Sequence, residues 1–258
     1  MLLAFDVGNT TIAIGLFRGR KLVKSWKVKT DSGKTSDEYG ALLLELMRVS
    51  GLAAGKISGA IISSVVPPLT PVIEEMCRAY FATTASVVGP GLKTGMPILY
   101  EAPLEVGADR ITAAVAAFEK FGGPLIVLDF GTATTFDAIS AKGEYLGGAI
   151  APGIQISAEA LYLKTAKLPR IEIRKPKRAI GRTTVSSMQS GLYFGYIGLV
   201  TKTIEEIRKE LGKNARVVAT GGFGSQVASE LADIEAYEPD LVLEGLRIIH
   251  ERNRAARD

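Results

Sequence analysis

Apolar and polar residues alternate with a period near two through most of the first thirty positions. A short apolar run at 2–6 ends in Asp6 and meets Gly8. Residues 11–17 alternate roughly, Arg18-Gly19-Arg20 turns the chain, and 22–28 alternates again with Trp26 on one face. Period-two runs joined by short turns predict an antiparallel meander. The period then lengthens. Leu42, Leu43, Leu46 and Val49 are spaced as on one face of a helix, which predicts a helix over Ser36–Val49 with Ser36 as N-cap. A buried strand at 57–63, a helix at 67–80 and a strand at 85–88 follow. Residues 89–107 return repeatedly to Gly and Pro, as a loop crossing to the second half does. A further helix, Ala108–Phe121, ends this half.

The second half repeats the first. An apolar run at 125–129 ends in Asp129 and meets Gly131; 134–140 alternates, Lys142-Gly143 turns, and 144–150 returns. Placing Asp129 on Asp6 gives an offset of 123, and the flanks agree, with Ile126-Val127-Leu128 over Leu3-Ala4-Phe5. Helical stretches are predicted at 185–211, 224–231 and 240–254, with a strand at Arg216–Thr220. Each half reads β-β-β-α-β-α, an α/β chain of two duplicated lobes with mixed sheets and crossover helices. A repeat this long points to duplication rather than a solenoid. The expected lobes are 1–117 and 118–258.

Composition narrows the chemistry. The chain has 258 residues, 47% of them apolar and 22% charged, which suits a folded globular protein and not a disordered one. No apolar run reaches about 18 residues, so no membrane-spanning helix is expected. The N-terminus meets Asp6 too early to read as a signal peptide. A single cysteine, Cys77, excludes an intrachain disulfide framework and fits a reducing cytoplasm. A single histidine, His250, excludes multi-histidine metal sites; both residues sit in helical patterns and read as structural. The net charge of +4 is mild and spread out, and gives no sign of nucleic-acid binding. Chemistry therefore rests on carboxylates, hydroxyls, backbone amides and the 28 glycines.

Asp6-Val7-Gly8-Asn9-Thr10-Thr11 puts an acid at the end of a strand and a turn of small donors after it. Glycine lets backbone N–H groups approach a ligand closely, and such a turn suits phosphate oxygens. An acid would repel phosphate directly; its use is to hold a divalent cation that bridges to it. Asp129-Phe130-Gly131-Thr132-Ala133-Thr134-Thr135 repeats the arrangement, so two such hairpins facing each other across a cleft would clamp an oligophosphate. Either motif alone also describes an ordinary turn; the pair in a duplicated frame is specific. Gly221 and Gly222, in Ala219-Thr-Gly-Gly-Phe-Gly-Ser, form either a wall against a nucleoside or a tight strand–helix turn. Asp109, in Gly107-Ala108-Asp109-Arg110, is either a helix cap or a general base, with Arg110 anchoring an anion. Of Thr183 and Thr184, one caps a long helix and the other can meet a ligand. Gly191, Gly195 and Gly198 suit close helix packing, across a subunit interface or within the fold. The basic run at 164–182 reads as a solvated loop ahead of an anion lid, and 252–258 as a fraying helix end.

Taken together, Asp6-x-Gly-Asn-Thr, Gly107-Ala-Asp-Arg, Asp129-x-Gly-Thr-Ala-Thr-Thr, Gly147-Gly-Ala-Ile-Ala-Pro-Gly, Met188-Gln-Ser-Gly and Thr220-Gly-Gly-Phe-Gly resemble the type III pantothenate kinases over essentially the whole chain. That family lies in the acetate and sugar kinase/Hsp70/actin superfamily, whose lobes are duplicated, ribonuclease H-like and separated by a cleft. The resemblance implies phosphorylation of pantothenate by ATP, the first step of coenzyme A biosynthesis. It implies that Asp6, Val7, Gly8, Asn9, Thr10, Thr11, Ile12 and Ala13 form the first phosphate hairpin, that Thr132 meets ATP, and that Asp129 binds a monovalent cation, K⁺ or NH₄⁺. Asp109 becomes the base, and Tyr100, Gly107, Ala108, Asp109, Arg110 and Thr184 contact pantothenate. Mg²⁺ accompanies ATP, with Asp6 a candidate ligand. A homodimer in the cytoplasm is implied, with no nucleic-acid or membrane partner. The family also resembles transcriptional regulators of the Bvg accessory factor type, which keeps a non-catalytic nucleotide-binding role as the alternative. One departure is visible: Thr183-Thr184 stands where an Asn-Thr pair is expected.

Overall fold

The computed structural model describes residues 1–255. The chain divides into two compact units, Met1–Lys120 with Asp240–Asp258, and Phe121–Pro239. The C-terminal helix, expected with the second lobe, belongs to the first unit. Its buried residues explain the assignment: α7 (Leu241–Arg254) lays Leu243 against Gly15 and His250 against Gly59.

The first unit holds β1 (Leu2–Val7), β2 (Thr11–Arg18), β3 (Lys21–Lys29), α1 (Ser36–Val49), β4 (Gly59–Ser64), α2 (Thr70–Phe81), β5 (Ala85–Val87) and α3 (Ala108–Phe121). Its sheet runs β3-β2-β1-β4-β5, with the first three strands antiparallel and the last three parallel. Alternation decides which side chains are buried where. Leu3, Phe5 and Val7 of β1, with Ala60 and Ile62 of β4, enter one core with Leu43 and Met47 of α1 and Ile73 and Met76 of α2. The opposite face of these strands carries Ala4, Asp6, Gly59, Ile61 and Ser63. The helix begins where its spacing places it, but the cap is Thr35, not Ser36. Thr35 accepts from Glu38 N–H and Glu38 bonds back to the Thr35 N–H, a capping box.

The second unit holds β6 (Leu125–Phe130), β7 (Ala133–Ile139), β8 (Tyr145–Pro152), α4 (Ile154–Lys164), α5 (Thr184–Leu211), β9 (Arg216–Thr220), α6 (Gly224–Val227) and β10 (Ala236–Tyr237). Its sheet, β10-β9-β6-β7-β8, repeats the first in order and in strand direction. The duplication extends to a defect. The β2–β3 register slips between Leu16 and Phe17, and the β7–β8 register slips between Ala138 and Ile139. A shared bulge is a designed feature of a family of sheets rather than an accident. The offset is not constant, however. Val7 pairs with Ile12 while Phe130 pairs with Thr134, so the second hairpin is one residue shorter and the offset falls from 123 to 122 beyond it.

Helix α4 and strand β10 have no counterpart in the periodicity reading. In α4, IQISAEALYLK, apolar residues are spread around the helix, so no face stands out. Strand β10 has two residues, too few to show a period. The stretch at 224–231 is a single α-turn, α6, followed by a 3₁₀ turn, Ala228–Glu230, rather than one helix. The expected fraying end reaches Arg254 as helix, and 256–258 lie outside the described residues. Cys77 is a buried free thiol, pushed up to about 12 first by burial and then by the nearby Glu74 charge, as an inert core cysteine should be. Among the described residues no helix is long and apolar enough to cross a membrane.

Candidate active site

The first hairpin turns at Gly8, Asn9 and Thr10. Gly8 N–H donates to Thr11 O at 3.1 Å, and a Cβ on Gly8 would press on that oxygen at 3.0 Å. Thr30, just beyond β3, braces the turn from outside: its hydroxyl donates to Gly8 O at 2.6 Å and its N–H to Thr10 O at 3.0 Å. Asn9, Thr10 and Thr11 are exposed, whereas Val7 and Ile12 are buried in the core below. Val7, Ile12 and Ala13 are strand residues. For the buried Val7 and Ile12, any ligand contact comes from the backbone.

Asp6, next to last in β1, stands beside Ser63 of β4, its partner in the parallel register. Just past β4, Val65 approaches Gly107, where a Cβ would come within 3.6 Å of the valine and into overlap with Asp109 Oδ1. Gly107 therefore makes room for the Asp109 carboxylate at the start of α3. There Asp109 accepts from the Arg110 N–H at 2.8 Å. Burial raises its pKa, against the opposing pull of that hydrogen bond and of the Arg110 charge. A carboxylate held this way is a better proton acceptor than an exposed one. Ala108 and Arg110 are half-buried at the same helix start, and Tyr100 is half-buried in the loop that leads there.

In the second unit two glycines crowd one acid, and a third supports the turn beside it. Gly221 has φ +91°, and a Cβ there would overlap Asp129 Oδ1 and stand 2.6 Å from the Phe130 backbone. The Gly131 position lies 3.6 Å from the same carboxylate oxygen. Gly153 N–H donates to Thr132 O at 3.1 Å, and a side chain at Gly153 would push that carbonyl away. The glycine-rich segment at 147–153 is thus the wall against which the second hairpin closes. Gly221 and Asp129 meet directly, while Gly222 and Thr132 are exposed beside them. Thr184 does not join this group. It opens α5, and Tyr196, which touches the hairpin, lies twelve residues on, about 18 Å along the helix axis.

Tyr196 carries no signal in the sequence beyond helical spacing. Its hydroxyl lies 2.7 Å from Thr134 Oγ1, and its ring is tilted against Phe130 and edge-on to Phe223, both with centroids 6.1 Å away. One side chain therefore braces both strands of the hairpin and the glycine turn. Its hydroxyl is pushed up to about 12, first by burial, with the Asp129 charge acting in the same direction and the Thr134 bond opposing. Tyr196→Phe should cost about 1–3 kcal/mol, because Thr134 Oγ1 is then stranded. The loss should shrink in a Thr134→Val background, as urea unfolding of the four variants will show.

Thr183 caps α5 by accepting from Ser186 N–H at 3.2 Å. Asn and Thr are both strong N-caps, so the departure from the expected Asn preserves the helix start and leaves Thr184 exposed. The basic run is mostly exposed and is tethered at points: Lys175 pairs with Glu230 at 2.6 Å, and Gln189 of α5 donates to Glu172 O at 2.9 Å.

Duplicated mixed sheets, each with an acid at the carboxyl end of its central strand and a small-residue hairpin after it, give a fold that solved sugar kinases share. Solved structures agree on the fold. The chain resembles a Campylobacter jejuni protein assigned to the Baf family of transcriptional activators (TM-score 0.63, 19% identity, 98% of this chain and 99% of that one). It also resembles an inorganic polyphosphate/ATP-glucomannokinase from Arthrobacter (TM-score 0.51, 15% identity, 97% and 98% covered). The chain belongs to the type III pantothenate kinase family: the family model matches residues 2–206. A type III pantothenate kinase of Geobacter sulfurreducens is 55% identical over 254 residues, covering 98% of this chain and all of the relative. The activity is accordingly ATP-dependent phosphorylation of pantothenate, in coenzyme A biosynthesis.

Proposed function

We propose that Asp109 is the general base of this reaction. It takes the proton from the pantothenate 4′ hydroxyl as that oxygen attacks the γ-phosphorus of ATP. The new O–P bond forms while the bond to the β,γ-bridging oxygen breaks, and ADP leaves. Arg110, Tyr100 and the backbone of Gly107 and Ala108 orient the acceptor. The exposed donors of Asn9, Thr10 and Thr11, with Thr132, bind phosphate oxygens, and Gly221 and Gly222 flank the nucleoside. The observation that carries the reading is the Asp109 carboxylate, seated over Gly107 with its charge disfavoured by burial.

Two ions fit the residues present. One carboxylate, Asp6, among hydroxyls suits Mg²⁺, which keeps several waters and takes its other ligands from phosphates. When bound, it neutralises charge on the transferring group. Asp129, beside the Gly131 and Thr132 carbonyls that border Gly153, suits a weakly hydrated monovalent ion such as K⁺ or NH₄⁺. The fold supports a homodimer through the second unit: Leu146, Ile150, Ile156, Leu163, Val185 and Phe194 are exposed there, and Gly191, Gly195 and Gly198 face open space. In that assembly Thr184 reaches pantothenate near the subunit interface, in the cytoplasm.

A coupled ADP-release assay tests the reading. Pantothenate should drive ADP formation where related alcohols do not, and replacing K⁺ by Na⁺ should lower the rate. Equal rates in the two salts would remove the cation from Asp129. ATP binding without pantothenate-dependent turnover would favour the regulator instead.

A further inference from the structure

Ser63 is fully buried, and among the described residues its hydroxyl is the buried side-chain polar atom that finds no hydrogen-bond partner in the protein. Leaving such a group unmade costs about as much as a hydrogen bond contributes or more, so a retained one calls for an explanation. Its neighbour shows that partners are within reach of this segment: Ser64 donates to Val66 O and accepts from Thr70 Oγ1 at 2.9 Å. The position is informative. Ser63 is the register partner of Asp6 on the adjacent parallel strand, and both leave the sheet face opposite the α1–α2 core. Adjacent strands lie about 4.8 Å apart, yet the Ser63 hydroxyl makes no bond to its neighbour across that gap, which leaves it for a shared water. Both residues stand at the carboxyl ends of their strands, where open α/β sheets bind ligands. The second unit repeats the pairing, with buried Thr220 as register partner of Asp129.

We propose that Ser63 is a positioning residue whose hydroxyl donates to a water in the coordination shell of the divalent ion held at Asp6. The proposal rests on the reading that Asp6 serves that ion. It gives the acid a fixed partner, so the ion and the phosphates it carries adopt one geometry. Mg²⁺ retains waters in its shell, so a hydroxyl one strand away acts through them.

The test compares calorimetric binding of a non-hydrolysable ATP analogue, with Mg²⁺ and with EDTA, in wild type, Ser63→Ala, Ser63→Thr and Asp6→Asn. Ser63→Ala should weaken Mg²⁺-dependent binding about tenfold and leave the metal-free affinity unchanged. Its thermal midpoint should not fall, since the hydroxyl has no protein partner to lose. Ser63→Thr should restore the Mg²⁺ effect, Thr220 being accepted at the equivalent place. If Ser63→Ala binds like wild type in Mg²⁺, or weakens both conditions alike, the proposal fails. If Asp6→Asn leaves the Mg²⁺ effect intact, the reading of Asp6 fails as well, and the two failures are distinguishable.

Discussion

Asp109→Asn should lower kcat by about 10²–10⁴, the range expected of the proposed general base, and leave the affinity for ATP nearly intact. Asparagine keeps the carbonyl that accepts from the Arg110 N–H and fits the space over Gly107, so the fold survives. Stability should move in the opposite direction. Burial raises the Asp109 pKa in the folded protein. A raised pKa means protonation favours the fold, so that contribution is fully present below the unfolded pKa and is lost as pH rises through the folded one. At neutral pH the wild type therefore carries a disfavoured charge that asparagine lacks. The variant should melt higher than wild type at pH 7–8, and the gap should close as pH falls into the carboxylate range. Paired melting curves and steady-state rates check both halves. Unchanged turnover would remove Asp109 from the chemistry.

Gly221→Ala should abolish most activity with a loss of about 10² or more. Two penalties act at one atom. The φ of +91° strains any residue with a side chain, at about 1–3 kcal/mol. The new methyl also overlaps the Asp129 carboxylate and the Phe130 backbone. The overlapping backbone belongs to a buried strand that cannot give way cheaply, so Asp129 and the hairpin must move. A displacement of about 1 Å at a reacting group costs about 10²-fold. Gly55→Ala, exposed in the first unit where a Cβ meets nothing within 4 Å, is the control outside the proposed site and should remain active. Rates of the purified variants, with far-UV circular dichroism to confirm folding, decide between them.

Much of this was legible in the sequence because the relevant physics is local. Period-two alternation gave β1 to β3 and β6 to β8, and an acid followed by a glycine turn marked both hairpins. The duplication made each weak motif count twice. What escaped is non-local. Nothing in a period shows that α7 leaves the second lobe to pack on the first sheet, because that depends on Gly15 and Gly59 admitting Leu243 and His250. Thr30, Tyr196 and Ser63 look like ordinary strand-end, helix and strand residues; only the register reveals which turn or acid each stands beside. The N-cap moved by one residue because Thr35 and Ser36 are both good caps, and the Glu38 at N3 selects Thr35.

In the proposed reaction, two copies of one acid-tipped hairpin serve a single nucleotide. Hydrogen–deuterium exchange of the amides at 8–11 and 131–134, measured with and without Mg²⁺ and a non-hydrolysable ATP analogue, tests it most directly. Exchange should slow in both hairpins at the same analogue concentration. Protection confined to one hairpin, with the other exchanging as in the free protein at saturation, would contradict it.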